Sequence, residues 1–136
     1  MEKYAYMAGI LDGEGSIQLV NISKGCFRSP VVCISNNEIE ILNIFKDAYG
    51  GTIVKKKIYK EHHQQSYDWK ITYNGAIKVL KDLLPYMLHK EKIRRANLII
   101  NTYPKVTKRN GKYTDEELAL KLSFENEFFH PSATIE

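Results

Sequence analysis

The sequence is poor in the features that mark several large classes of protein. It contains only two cysteines, Cys26 and Cys33, and four prolines in 136 residues. A chain of this length can bury its own core, so we expect two free thiols in a reducing compartment and not a disulfide scaffold. The sequence contains no run of about 18 uncharged apolar residues, so we expect no membrane-spanning helix. The start is charged and no long apolar run follows it, so we expect no signal peptide. We expect an intracellular, reducing setting, either a prokaryotic cytoplasm or an organelle matrix.

Acidic residues are scarce in the middle of the chain. Residues 53–112 hold 15 basic and 4 acidic residues, a net charge of +11, whereas the segments on either side are net acidic. Such a basic segment is typical of a protein that binds a polyanion. The alternative is a merely solvated surface, but tyrosines and the single tryptophan lie among these charges and favour a nucleic acid.

The first helix is predicted to have one side that is almost bare. Residues 3–13 have helical periodicity, and Ala5, Gly9 and Gly13 fall four residues apart. Glycine costs about 1 kcal/mol relative to alanine inside a helix, so two glycines in one stripe indicate that another backbone approaches closely. The alternative, that Gly13 and Gly15 only end the helix, explains Gly15 but not Gly9.

The remaining pattern predicts a unit of two strands and a helix that occurs twice after the first helix. This order predicts an α+β fold, αββαββα, in which an antiparallel four-stranded saddle-shaped sheet carries helices on one face, with C-terminal helices added. We expect one domain, with a core at residues 1–103 and a loop and helix at 104–136. The predicted strands are 16–23, 30–35, 52–59 and 67–73, and the later helices are about 37–49, 74–84, 93–103 and 114–128.

Alternation along the strands predicts which side chains face away from the helices. The fourth strand would place Asp68, Lys70 and Thr72 on the open face, and Trp69, Ile71 and Tyr73 in the core. The third strand would place Lys55, Lys57 and Tyr59 on the open face, and Val54 and Ile58 in the core. Lys56 does not fit this alternation, and the polarity of the first strand leaves its orientation undecided.

Two motifs in this order resemble one known family. The segment Met7-Ala8-Gly9-Ile10-Leu11-Asp12-Gly13-Glu14-Gly15 matches the LAGLIDADG motif by residue type, with Gly13 in place of alanine and Glu14 in place of aspartate. The segment Leu84-Pro85-Tyr86, followed by Lys92 and Ala96-Asn97-Leu98, is similar to a second pattern of the same family. The chain therefore resembles the LAGLIDADG homing endonucleases of the type with one motif per chain.

The resemblance implies a homodimer that cuts double-stranded DNA at a long pseudo-palindromic site and leaves short 3′ overhangs. Its interface would include Ala5, Gly9, Asp12 and Gly13, and Asp12 would be structural, either capping a helix or pairing across the interface. Glu14 would be catalytic and would bind Mg²⁺ together with the Gly13 carbonyl, with Mn²⁺ or Ca²⁺ able to substitute in binding. Lys92, with Lys90 as its alternate, would lie near the scissile phosphate. Asn36 would position water, although capping of the following helix by Asn36 or Asn37 explains that residue equally well.

The residues predicted to contact DNA fall into two groups. The group on the sheet is Gln18, Lys55, Lys57, Tyr59, Asp68 and Lys70, and the group expected at the phosphate backbone is Arg94, Arg95, Lys108 and Arg109. Only contacts to base edges specify a sequence. The pair His62-His63 lies in a predicted turn and has no second ligand at metal spacing, so we interpret it as surface.

Two other functions fit the sequence less well. The same fold without cleavage would give a DNA- or RNA-binding protein, such as a maturase that binds its own intron RNA, or a regulator. A small α/β protein whose basic middle segment is only surface would show no salt-dependent binding to duplex DNA. An intact Glu14 favours the nuclease over the first of these alternatives.

Overall fold

The computed structural model describes residues 2–23, 27–58 and 64–132. The elements follow the predicted order, and a single 3₁₀ turn, Leu84–Tyr86, lies between the third and fourth helices. They are α1 Glu2–Glu14, β1 Gly15–Val20, β2 Ser29–Asn36, α2 Ile39–Tyr49, β3 Thr52–Lys55, β4 Tyr67–Thr72, α3 Tyr73–Leu83, α4 Lys90–Val106 and α5 Asp115–Phe129.

The four strands form one antiparallel sheet in the order β1-β2-β4-β3. Its helix-facing side supplies Ile17, Leu19, Val32, Ile34, Trp69 and Ile71 to a core shared with the helices. The opposite side, which we call the open face, carries Ser16, Cys33, Lys70 and Thr52 directly across from one another. The predicted α+β fold, with helices on one face of the sheet, is confirmed.

Trp69 is the largest side chain that is fully buried in the core. Its ring centroid lies 5.1 Å from that of Phe45 on α2, and its indole N–H donates to the Gly50 carbonyl at 2.8 Å. Gly51 follows with φ +85°, and a Cβ atom there would lie 2.6 Å from the Lys70 carbonyl oxygen. Only glycine fits at this position, so the α2–β3 turn is fixed against the middle of β4.

The predicted end of the fourth strand is wrong at Tyr73. The strand stops at Thr72, and Tyr73 begins α3 with φ +54° and 47% of its surface exposed. A left-handed backbone at this residue ends the alternation of the strand. Tyr73 therefore lies at the surface and does not extend the row of core residues.

The predicted orientation of the third strand is also wrong. Ile53 lies opposite Trp69 and packs against the core, whereas Val54 lies opposite Asp68 on the open face and is 50% exposed. Lys55, opposite Tyr67, is therefore on the helix-facing side. The strand has only four residues at the edge of the sheet, and one packed side chain, Ile53, decides its register.

The segment beyond Lys55 is not strand either. Ile58, predicted to lie in the core, is 45% exposed. Lys57 is also exposed and follows the end of β3. Tyr59 and the pair His62-His63 lie outside the described residues, so their predicted positions stay predictions.

The C-terminal helix α5 is part of the same core. The helix begins with a capping box, in which the Thr114 side chain accepts from the backbone of Glu117 while the Glu117 side chain accepts from the Thr114 backbone. Phe124 and Phe128 are buried in the core cluster. The described part of residues 104–136 therefore contributes side chains to the shared core.

A buried lysine joins α5 to its neighbours. The Lys121 ammonium donates to the Thr107 hydroxyl at 2.6 Å and lies 4.4 Å from the centre of the Tyr103 ring. Only 1% of Lys121 is exposed, and burial lowers the pKa of its ammonium. The hydroxyl and the ring face replace part of its lost hydration, so the charge is accommodated inside the protein.

Two further expectations concern cysteine and the membrane. Cys33 is a buried free thiol, and burial raises its pKa. Cys26 lies outside the described residues. Within those residues, the structure contains no helix that combines the length and apolar character needed to cross a bilayer.

The role of α5 in stability can be tested with two adjacent phenylalanines. Phe128→Ala removes a ring with no exposed surface, so we expect a loss of about 3–5 kcal/mol in the free energy of unfolding. Phe129→Ala removes a ring that is 39% exposed and lies under Arg28, and should cost about 1 kcal/mol. Urea unfolding followed by circular dichroism measures both. Equal losses would mean that α5 is not packed through Phe128.

Candidate functional site

The site begins at the junction of α1 and β1. α1 buries Met7, Ala8 and Leu11 against the sheet and core. A Cβ atom added at Gly15 would lie 2.5 Å from the Leu11 Cδ1 atom, so the chain passes from helix to strand at close packing. Glu14, the last helical residue, is therefore held at the edge of the sheet.

The other side of α1 has no covering element within the described residues. A Cβ atom added at Gly9 or Gly13 would meet nothing within 4 Å. Ala5 is exposed, and Tyr6 exposes 54% of its surface on the same side. The predicted bare stripe is thus open in the single chain, which leaves room for another molecule.

Asn36 connects the end of β2 to Glu14. Its side-chain amide donates to the Glu14 carboxylate, and its side-chain oxygen accepts from the Glu38 N–H at 2.8 Å. The N-cap of α2 is Glu38, which makes no side-chain cap, so the prediction that Asn36 or Asn37 is the N-cap is wrong. Because both ends of the amide are bound, Asn36 is fixed in the orientation that donates to Glu14.

An open depression of about 260 Å³ lies beside this pair. Every side chain that lines it carries an oxygen atom: Glu14, Ser35, Asn36, Asn37 and Ser66. Hard oxygen donors of this kind suit Mg²⁺ or Ca²⁺. No cluster of three or more His, Cys, Asp or Glu residues able to hold a metal occurs in the described part of the chain. A cation here would therefore need further oxygen ligands from a phosphate, water or a second chain.

Lys92 reaches the last turn of α1 and is bound there to backbone atoms. Its ammonium donates to the carbonyl oxygens of Leu11 at 3.0 Å and Asp12 at 2.6 Å, in the last turn of α1. Burial lowers the pKa of Lys92, and the charge of Asp12 opposes that shift. Lys90, the alternate lysine, is an exposed residue at the start of α4.

Asp12, predicted to lie at the interface, binds within its own chain. Its carboxylate accepts from the backbone N–H groups of Leu88 at 2.8 Å and His89 at 3.2 Å. These two residues immediately precede α4. The carboxylate therefore fixes the start of the helix that carries Lys92.

The open face carries part of the predicted DNA-binding set and one residue that the sequence analysis missed. Lys70 is exposed there, and Gln18 donates to the Ser16 hydroxyl at 2.7 Å. Asp68 accepts from the Ser35 hydroxyl and pairs with Lys56 at 3.5 Å. Lys56 is the residue that did not fit the predicted alternation, and its ion pair with Asp68 gives it a place on this face.

Arg94 and Arg95, predicted to hold the DNA backbone, are used inside the protein. Arg94 donates to the carbonyls of Glu127 at 3.0 Å and Phe128 at 2.8 Å, at the end of α5. Arg95 donates to the Ile17 carbonyl at 2.9 Å and lies over the Phe128 ring. Both also bind Glu91, whose pKa falls to about 2 chiefly through the hydrogen bond from Arg94. The structure thus gives these arginines a bracing role between α4, α5 and β1.

In the basic loop between α4 and α5, Lys108 is also bound within the protein. The Lys108 ammonium donates to the Lys112 carbonyl at 2.9 Å and to the Glu117 carboxylate at 3.0 Å, so it supports the capping box of α5. Arg109 is exposed. Lys108 is exposed as well, but its ammonium is bound within the chain.

The assignment of lysines to the two faces of the sheet leads to a test with duplex DNA. Lys70→Ala should weaken binding and reduce the slope of log affinity against log salt by about one, because one phosphate contact is lost. Lys55→Ala, on the other side of the sheet, should change the slope much less. Fluorescence anisotropy at several salt concentrations measures both. An equal effect of the two variants would contradict the open face as the DNA-binding surface.

Comparisons with known proteins identify the fold. No protein-family model matches the sequence, and no curated protein is detectably similar to it in sequence. Solved structures do match. The homing endonuclease I-TnaI is 19% identical, with a TM-score of 0.60 over 95% of this chain and 89% of its own. An archaeal intron-encoded homing endonuclease, I-Vdi141I, solved with DNA, is 18% identical, with a TM-score of 0.52 over 91% of this chain and 97% of its own.

A longer neighbour matches over part of its length. I-SmaMI, a LAGLIDADG homing endonuclease solved on an uncleaved DNA target with calcium ions, is 18% identical, with a TM-score of 0.61. The match covers 94% of this chain and 45% of I-SmaMI. Two neighbours, I-GzeII and I-SmaMI, are LAGLIDADG homing endonucleases, the family that the segment Met7–Gly15 resembles. This chain therefore has the fold of the LAGLIDADG homing endonucleases.

Proposed function

We propose that this chain is a LAGLIDADG homing endonuclease that cuts double-stranded DNA at a long pseudo-palindromic site. The observation that carries the proposal is the position of Glu14. It ends a helix with a bare, exposed side, lies beside the oxygen-lined depression, and is oriented by Asn36 at the edge of the open face. The structural neighbours of this chain include homing endonucleases solved with DNA.

A homodimer through α1 is the second part of the proposal. Gly9 and Gly13 leave space for the backbone of another helix, and a two-fold axis beside them would bring the two Glu14 residues together. Chain length supports this assembly. This chain covers 97% of I-Vdi141I but 45% of I-SmaMI, so two copies correspond in length to the longer neighbour. Asp12 would stabilise this interface indirectly, because its carboxylate binds backbone N–H groups of its own chain.

A divalent cation, Mg²⁺ in our proposal, completes the site. Two carboxylates that approach each other repel, so a cation or a proton is needed between them. The Glu14 carboxylate and the Gly13 carbonyl would hold the cation, with phosphate and water oxygens as its other ligands. When bound, the cation activates water and stabilises the charge that develops at phosphorus. Calcium or magnesium was present with DNA in structures of I-CvuI.

The other residues of this chain bind and orient the groups that react. Asn36 keeps the Glu14 carboxylate directed at the depression. Lys70 and Gln18 on the open face would contact the DNA groove, and Arg109 its phosphates. Each subunit would cut one strand, which gives a double-strand break with short 3′ overhangs. An intron-encoded gene, binding of intron RNA and a reducing compartment stay predictions from the sequence.

The dimer can be tested at Gly9. Gly9→Leu adds a side chain where the single chain has open space, and it also replaces a poor helix former. We expect circular dichroism to show a folded subunit while sedimentation velocity shows a monomer and cleavage is lost. Ala48→Leu, an exposed site on α2, is the matched control and should stay dimeric. A dimeric, active Gly9→Leu protein would exclude α1 as the interface.

The reaction can be tested with a library of long duplexes. With Mg²⁺, the parent protein should cut a small subset of sequences, and Glu14→Gln should cut them slower by on the order of a thousand-fold or more, because the metal-binding charge is lost. Glu40→Gln, an exposed carboxylate on α2, is the control and should cut normally. If no duplex is cut with any divalent metal while DNA still binds, the non-cleaving alternative replaces the nuclease.

A further inference from the structure

Two charged side chains bind the end of one helix to the start of another. The Asp12 carboxylate accepts from the N–H groups of Leu88 and His89 at the start of α4. The Lys92 ammonium, in the first turn of α4, donates to the carbonyls of Leu11 and Asp12 at the end of α1. We call this reciprocal pair of contacts the Asp12–Lys92 clamp.

Each charge in the clamp lies where the backbone favours it. The last carbonyls of a helix and the N–H groups around the start of the next lack partners within their own helices. A cation is favourable at a helix C-terminus and an anion at an N-terminus. Lys92 and Asp12 meet both conditions at once, so the two helix ends are held in a fixed relation.

The clamp borders the metal-binding groups of the proposed site. The two carbonyls held by Lys92 belong to Leu11 and Asp12, and the next two residues of the same helix are Gly13 and Glu14. A shift of the last turn of α1 would move the Gly13 carbonyl and displace Glu14 from the Asn36 amide. The conformation of this turn therefore determines whether the Glu14 carboxylate and the Gly13 carbonyl can bind the same cation.

We propose that Lys92 is a positioning residue that acts through the last turn of α1 on the metal-binding groups, and that it does not contact the scissile phosphate. The inference rests on the proposed nuclease function and changes the role of Lys92 within it. If the ammonium moved to a phosphate, the carbonyls of Leu11 and Asp12 would lose their donor and the end of α1 would lose its cation. Asp12 shares this role, because its carboxylate holds the other half of the clamp.

The dependence of cleavage on metal concentration distinguishes positioning from direct contact. Lys92→Met should raise the half-saturating Mg²⁺ concentration by about 10- to 100-fold, as is typical when support for a metal ligand is lost. Most of the parental single-turnover rate should return at saturating metal. Asp12→Asn should give the same signature. Lys81→Met removes an exposed lysine on α3 and is the control, with an unchanged metal requirement.

Amide hydrogen exchange provides a readout that does not depend on cleavage. Without metal or DNA, Lys92→Met and Asp12→Asn should both speed exchange at Leu88 and His89, because the clamp no longer protects those N–H groups. The amides of α5 should exchange as in the parent. The conservative Asp12→Asn variant keeps the measurement possible if Lys92→Met folds poorly.

The outcomes separate this inference from the proposed function. A lower maximal rate for Lys92→Met with an unchanged metal requirement, together with normal cleavage by Asp12→Asn, would mean that Lys92 contacts the phosphate and would overturn the inference. If the parent cuts no DNA, the proposed function fails, and the exchange measurement alone decides the clamp. Unchanged exchange at Leu88 and His89 in both variants would then overturn it.

Discussion

The site depends on a helix that is packed on one side and bare on the other. Met7, Ala8 and Leu11 are fully buried, and they fix α1 against the sheet at close range. On the opposite side, Gly9 and Gly13 present almost only backbone. Because one side of α1 is packed and the other is bare, the path of the chain at the end of the helix is fixed. Glu14 must emerge at the boundary between the packed layer and the open face, where the strand begins at once.

Several basic side chains of this protein bind groups within the protein itself. Arg94 and Arg95 bind backbone carbonyls of α5 and β1, and Lys92 binds those of α1. Lys121, outside the basic segment, is buried beneath aromatic rings. A basic composition therefore overstates the surface offered to a polyanion. The lysines that lie on the open face, Lys56 and Lys70, form a smaller set with a defined position.

Most of the fold could be predicted from the sequence, whereas much of the detail around the site could not. The order of elements follows from long periodic segments, and the contact between Glu14 and Asn36 follows from the motif and that order. The orientation of β3 does not, because a four-residue edge strand with one packed side chain has almost no periodicity of its own. The role of Arg94 was hidden for another reason: its partners are backbone carbonyls of α5, and a sequence contains no pattern for such contacts.

The edge position of β3 has a consequence for how these molecules meet one another. An edge strand presents unpaired backbone groups to which another chain can add as a further strand. β3 is short, and the exposed lysines at positions 55, 56 and 57 occupy its end and the residues that follow. A second molecule that tried to extend the sheet there would bring the same positive charges alongside. The lysine run thus discourages growth of the sheet from molecule to molecule.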